Sequence, residues 1–527
     1  MNGKTVPGKK FLYEGKGGSF MKTTKILLAG RLDFGPLARH LRAFIEALAQ
    51  RKENQIYLDP FMLEHYRCDS FGTQTLLNEY LAQNNVMMAT KGMNYDFSVF
   101  TDLLTLNYGD TFYKNFLKYK SKIKICYEVF DGSLPPLDWI DIINSNFDIC
   151  CTPSMYIADC LIKGGVKIPC FDLPCVVFND QLLKKQPCVS REKVRFGFVG
   201  GAEQRKNLLK VLDAFYKAFQ GKKDVELYIH SSYTAEPAYA QECAARVKKY
   251  KKDCDIIFNF EKRLSKNEMY DMISTFSFYV FPTKNTGYFT TPCEALSVGI
   301  PVIISDIPVH QELTQNLTQQ DGAFLIKANE IDVMIHSYLG NKCLGVQYDM
   351  SVDAIVEQML AAYEHRKILF TKEKIEKRKA VARQYSLASL TPVFNNLFHP
   401  DTIYLSKRAG ITQEELFLNS EKFNSEKLVK KYQALNENIK LSNDKEFNEK
   451  RYTLPNPQMG EFVERICLNI EKAKLSLCPT GDILGSHYMK RMIARAQKYR
   501  VSNMPWFIYK LFSQYCKLKS LITKESK

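Results

Sequence analysis

Arg205 and Lys206 stand at the mouth of a helix, just after the turn Gly200-Gly201-Ala202-Glu203-Gln204. Glycines let a backbone approach a ligand closely, and a helix N-terminus offers unpaired N–H groups that favour negative charge. Two cations at such a turn suit an anionic group. Further along, Glu294 lies on a short helix fed by the loop Thr286-Gly287-Tyr288-Phe289-Thr290. One carboxylate and several free N–H groups thereby gather at the carboxyl edge of a parallel sheet, the edge where doubly wound folds bind nucleotides. The alternative for Arg205 and Lys206 is a solvated surface pair, and for Glu294 a helix-start carboxylate favoured by the dipole.

The elements that position these residues follow from hydrophobic runs bounded by turn signals. Ser277 to Phe281 reads as a buried strand that breaks at Pro282, and Gly299-Ile300-Pro301 turns into a second, Val302 to Ser305. The same series holds VRFGFV (Val194 to Val199), VELYI (Val225 to Ile229), DIIF (Asp255 to Phe258) and AFLI (Ala323 to Ile326), with helices such as Leu208 to Phe219 between them. An earlier series starts at KILLA (Lys25 to Ala29) and continues at Ile56 to Leu58, Phe97 to Phe100, Lys124 to Tyr127, Phe147 to Thr152 and Cys170 to Phe178. Strands alternating with helices predict parallel α/β domains. Asn179 to Glu192 is polar and Lys-rich and reads as the linker between them.

The order and spacing from Phe276 to Leu313 resemble the nucleotide-sugar site of GT-B-fold glycosyltransferases of the retaining family 4 type (group 1 glycosyltransferases). The resemblance spans about Lys25 to His399. It implies an α/β fold with two Rossmann-like domains facing across a cleft. It assigns the second acidic position, which binds the ribose hydroxyls, to Glu294, and the diphosphate-binding lysine to Lys206 with Arg205 as helper. Gly200, Gly201, Thr286, Gly287, Tyr288, Phe289 and Thr290 complete the expected donor-binding set. Two departures stand out: Gly201 where the family often has arginine, and Thr286 where it has its first acidic residue. Threonine can hydrogen-bond a hydroxyl but cannot stabilise positive charge at an anomeric carbon. Gly35, in the loop Leu32-Asp33-Phe34-Gly35-Pro36, resembles the glycine that lets acceptor and donor phosphate approach. CYEVFDGSLPPLDWI (Cys126 to Ile140) is similar to a family segment with Glu, Leu-Pro and Trp, which places Glu128 and Asp131 at a strand end with an acceptor-orienting role. N-capping or linker hydrogen bonding is their structural alternative.

The resemblance further implies transfer with retention, without a metal, a cofactor or a protein nucleophile; the nucleotide sugar is a co-substrate. The few histidines have no metal-ligand spacing, and Asp253-Cys254-Asp255 reads as a solvated turn before a strand. Neither first strand leads into GxGxxG, which argues against a nicotinamide dehydrogenase.

At 527 residues the chain has room for at least two cored domains. The expected boundaries are a flexible leader over 1–20, an acceptor domain over 21–180, a donor domain over 193–382, a crossover helix over 383–399 and a helical extension over 400–527. The fifteen cysteines show no paired spacing and read as reduced thiols of a cytoplasmic protein. Lys490 to Lys527 holds ten Lys or Arg and one Glu, so nine of the sixteen net positive charges lie there (10 − 1 = 9). Ile508, Leu511, Phe512, Tyr515, Leu518 and Ile522 follow helical spacing beside Lys510, Lys517 and Lys524. A basic amphipathic helix of this kind lies on an anionic membrane surface or packs on its own protein. Nothing resembles a nucleic-acid-binding module. The expectation is a cytoplasmic, peripheral glycosyltransferase acting on a glycan or lipid-linked acceptor in polysaccharide or lipopolysaccharide assembly. The alternatives are a non-catalytic scaffold that kept the fold, and a nucleotide-sugar epimerase.

Overall fold

The computed structural model describes residues 23–398, apart from 34, 36, 62–72, 91, 105–108, 134, 136, 189–191, 232–235, 261–263 and 337–341. The predicted leader, the extension over 400–527 and its basic amphipathic helix lie outside the described residues.

Two parallel sheets carry the chain. The first joins β1 (Thr24–Ala29), β2 (Asn54–Leu58), β3 (Val86–Met88), β4 (Asn94–Phe100), β5 (Lys120–Tyr127), β6 (Ile149–Thr152) and β7 (Cys170–Asp172) in the order β3-β2-β1-β4-β5-β6-β7. The second joins β8 (Val194–Val199), β9 (Val225–Ser231), β10 (Asp255–Phe260), β11 (Phe278–Phe281), β12 (Val302–Ser305) and β13 (Ala323–Ile326) in the order β10-β9-β8-β11-β12-β13. Central strands such as β6, β11 and β12 are buried along their whole length, which is why they read as continuous apolar runs. Strand order reverses between β1 and β4 and again between β8 and β11. Loops leaving those four strands therefore diverge and open a crevice at the carboxyl edge of each sheet.

The expected strand over Cys170 to Phe178 is shorter than its apolar run: β7 ends at Asp172. Pro174 lacks the N–H that a ladder needs. The downstream residues pair elsewhere, with Val177 N donating to Tyr385 O (3.0 Å) and Leu387 N donating to Phe178 O (3.0 Å). The outgoing linker and the returning chain thus cross between the domains side by side. Ser386 caps the returning helix Leu387–Leu397 through Ser389 N. That helix packs on Ala38–Leu48 of the first domain, with Phe394 4.9 Å from Phe44 and Phe398 5.1 Å from Phe97 between ring centroids.

Two further features position the second domain's loops. Arg378 is fully buried, with its guanidinium donating to the carbonyls of Gly299, Asp321 and Leu369 at 2.7–2.8 Å. It ties the turn before β12 to the long C-terminal helices. An antiparallel hairpin, β14 (Asn329–His336) and β15 (Lys342–Asp349), follows β13 and was not foreseen from the sequence. Tyr348 N donates to Lys284 O at 2.9 Å, so the hairpin flanks the loop after β11.

Candidate functional site

The loops after β8 and β11 meet at the second switch point and are stitched to each other. Arg205 O accepts from Lys284 N (2.8 Å) and from Thr283 Oγ1 (3.2 Å), while Arg205 Nη1 donates to Asn285 O (3.0 Å). A short 3₁₀ turn, Gln204–Lys206, ends at Asn207, whose φ of 57° is left-handed. Asparagine tolerates that conformation because its short polar side chain bonds locally. Here Asn207 Nδ2 donates to Pro282 O at 2.9 Å, which fixes the entry into helix Leu208–Phe219. Sequence reasoning passed over Asn207; the Lys-Asn pair before an apolar helix was its one visible sign.

Lys206 is half-buried, and its ammonium sits 4.7 Å from the centroid of the Phe281 ring. Loss of hydration, helped by the neighbouring Arg205 charge, pushes the amine down to about 7, with Asp131 and Glu203 opposing. Also beside Phe281, His310 is fully buried, with Nδ1 2.9 Å from Ser305 O. Burial holds its imidazole down at about 4, with the Lys206 charge adding to the effect. His310 is therefore neutral at physiological pH.

Glu294 projects from helix Thr290–Val298 and is 4% exposed. Phe289 gives that helix no side-chain cap, so its first N–H groups remain available to a ligand. Across the cleft, Arg39 Nη1 bonds Glu294 Oε1 at 3.0 Å and also donates to Val177 O at 2.7 Å. Arg39 lies in the first turn of Ala38–Leu48 and gave no sequence signal, because its partner is on the other domain. Thr286 Oγ1 turns back to donate to Tyr288 O (2.8 Å), and Tyr288 OH reaches Cys175 O in the first domain (2.8 Å). Phe289 is buried beside Tyr288 and Tyr385. Gly200 N donates to His230 O (3.1 Å), Gly201 follows as a half-buried residue, and Thr290 begins the helix.

The first domain contributes differently from the sequence expectation. Glu128 and Asp131 were placed together at a strand end facing an acceptor; the structure separates them. Glu128 is 1% exposed, and neither carboxyl oxygen has a hydrogen-bond partner. Burial, with the Asp102 carboxylate beside it, raises its pKa well above the ordinary range, so it holds its proton. Asp102 itself takes a two-pronged bond from Arg31 (3.0 and 2.9 Å). Asp131 instead crosses the cleft. Its Oδ1 accepts from Gly287 N at 2.7 Å and its Oδ2 lies 3.1 Å from Arg205 Nη1. The Glu128-to-Asp131 turn passes so close to Gly287 that a Cβ there would meet Val129 Cγ2 at 2.4 Å and the Phe130 carbonyl oxygen at 2.7 Å. Gly35 sits in the β1 loop, its N–H bonded by the Asp33 carboxylate.

Residues 193–338 match the family model described as glycosyl transferases group 1. No curated protein matches the chain in sequence. Among solved structures, a glycosyltransferase from Rickettsia africae is similar at 11% identity with a TM-score of 0.50, covering 71% of this chain and 98% of that one. Anabaena Alr3699/HepE in complex with UDP-glucose is similar at 13% identity with a TM-score of 0.52, covering 70% and 98%. At such identities the likeness is one of fold. Residues 193–338, which contain Arg205, Lys206 and Glu294, are thus the part of the chain similar to group 1 glycosyl transferases, and they lie within a fold of two Rossmann-like domains.

Proposed function

We propose that the protein is a glycosyltransferase that moves a sugar from a nucleotide-sugar donor to a glycan or lipid-linked acceptor, with retention of anomeric configuration. The observation that carries this reading is the convergence of Arg205, Lys206 and the uncapped helix bearing Glu294 on one crevice at the switch point. A diphosphate would lie against the two cations and the N–H groups of the 287–290 loop, and Glu294 would accept from the ribose hydroxyls. The bound UDP-glucose of the similar Anabaena protein favours a uridine diphosphate donor here.

In the transfer step, the glycosidic C–O bond breaks toward the diphosphate as the acceptor oxygen bonds the anomeric carbon on the same face. The departing phosphate oxygen takes the acceptor hydroxyl proton, and Arg205 and Lys206 balance the growing charge. This path uses no protein nucleophile and no metal ion. Closure of the two domains would exclude water and limit donor hydrolysis. A role in polysaccharide or lipopolysaccharide assembly at the cytoplasmic membrane face belongs to the same reading. Among the described residues no helix is long and apolar enough to cross a membrane.

A second reading, a non-catalytic binding protein, draws on Thr286, whose hydroxyl is spent within its own loop. A thermal-shift and donor-hydrolysis panel of UDP-, GDP-, ADP- and CMP-sugars on wild type and Glu294→Ala separates the two. Stabilisation by one donor class, abolished in the variant and accompanied by slow hydrolysis, is the expected result. Binding without turnover in the presence of any acceptor fits the scaffold, and no response to any donor favours a degenerate site with a binding role.

A further inference from the structure

Three groups assigned to the donor, the Gly287 N–H, the Arg205 guanidinium and the Glu294 carboxylate, are already bonded to side chains of the opposite domain. Asp131 places one carboxylate oxygen on Gly287 N–H (2.7 Å) and the other on the Arg205 guanidinium (3.1 Å). A backbone N–H beside a guanidinium is the arrangement that receives a phosphate oxygen. Arg39 holds Glu294 Oε1 at 3.0 Å, the carboxylate that would accept ribose hydroxyls. Each side of the cleft thus answers the other with complementary chemistry, anion into cation site and cation onto anion site.

Neighbouring bonds close the same seam. Ser154 Oγ donates to Gly287 O (3.0 Å), Val346 N donates to Ser133 Oγ (2.8 Å), and Glu312 accepts from Met155 N (3.0 Å). The contact is tight: Gly287 has no space for a Cβ against Val129 and Phe130.

We propose that Asp131 and Arg39 form an internal latch that occupies the donor site, so that a nucleotide sugar must displace both to bind. This inference rests on the donor-site reading given above. The latch makes opening depend on a ligand that carries both halves of the competing chemistry. A diphosphate competes with Asp131 for Arg205 and Gly287, and a ribose diol competes with Arg39 for Glu294. Either half alone leaves one clasp shut. A protein that spends most of its time latched shows an apparent affinity lowered by its small open fraction, and removing a clasp returns that factor.

The test is nucleotide binding by titration calorimetry with UDP, GDP, ADP and CMP, on the full chain and on Asp131→Asn, Arg39→Gln and the double variant. Circular dichroism melts check that each variant is folded, and small-angle scattering compares their dimensions. A binding nucleotide should gain roughly tenfold in affinity in each single variant and more in the double one. The double variant should also scatter as a more extended molecule. Equal or weaker nucleotide binding in the variants, with wild type binding normally, overturns the latch and leaves the donor reading standing. Expansion of the double variant with no nucleotide bound by any form sinks the donor reading and the latch with it, and leaves Asp131 and Arg39 as an interdomain clasp only. Unchanged dimensions with no binding overturn both.

Discussion

The Lys206 ammonium and the buried His310 imidazole lie on the same aromatic ring: Phe281 is 4.7 Å from the one and 6.3 Å, centroid to centroid, from the other. The ring attracts the ammonium through its quadrupole. It replaces little of the lost hydration, however, and Lys206 titrates near 7. A bound diphosphate favours the charged amine and so raises its pKa in the complex. Donor affinity is therefore full below about 7 and falls as pH rises through that value, by at most about tenfold per unit. Lys206→Arg keeps its charge throughout and should flatten the profile. Titration calorimetry with the nucleotide sugar that binds best, from about pH 6 to 9, checks this. A wild-type profile as flat as the variant's means that Lys206 does not meet the phosphate.

Glu128 gives a stability prediction with a definite sign. Its folded pKa is raised above the ordinary 4.5 by burial and by Asp102. Between 4.5 and the raised value the folded state holds a proton that the unfolded state releases. Stability is therefore highest below the ordinary value and is lost as pH rises, by up to about 1.4 kcal/mol per unit across that window. Glu128→Gln removes the proton release while keeping the shape. The variant's melting temperature should overtake wild type increasingly as pH rises above the ordinary carboxylate value. A constant difference would mean that Glu128 ionises in the folded protein.

The strands and the loops after β8 and β11 were legible because their signals are local. Ser277 to Phe281 is an apolar run closed by a proline, and Arg205-Lys206 before Leu208 is a helix start beside glycines; neither needs a distant partner to be read. Arg39 was invisible for the opposite reason, since its meaning lies in Glu294 on the other domain. Asn207 required knowledge of a left-handed φ, and the β14–β15 hairpin was passed over although Ile331, Val333 and Ile335 alternate with Asp332, Met334 and His336. Glu128 and Asp131 share one turn, but packing seals the first and carries the second across the cleft.

Gly287 is a point of close approach between the two domains. A methyl group there collides with Val129 Cγ2 and the Phe130 carbonyl, and the carbonyl belongs to backbone that cannot rotate aside. Gly287→Ala should leave both cores folded yet hold the domains apart. Transfer should fall by on the order of 100-fold, as a displacement of about 1 Å in a reacting geometry costs. The melting temperature should drop only slightly. Steady-state kinetics beside calorimetry decides: near-normal turnover would show that catalysis does not need this contact.

The returning helix Leu387–Leu397 tests how far the domains depend on each other. Phe394 is fully buried against Phe44 of the first domain, although its helix follows the second in sequence. Phe394→Ala should cost about 3–5 kcal/mol, the range for emptying a buried aromatic site. Asn395 is a milder probe of the same surface. Its Nδ2 donates to Ala47 O (3.3 Å) and its Oδ1 accepts from Asn54 Nδ2 (2.8 Å), so Asn395→Ala should cost about 1–3 kcal/mol. If the first domain unfolds with its own transition in urea, both losses should appear there while the second domain's transition stays put. A shift of both transitions together would instead make the crossover helix the element that couples them into one cooperative unit.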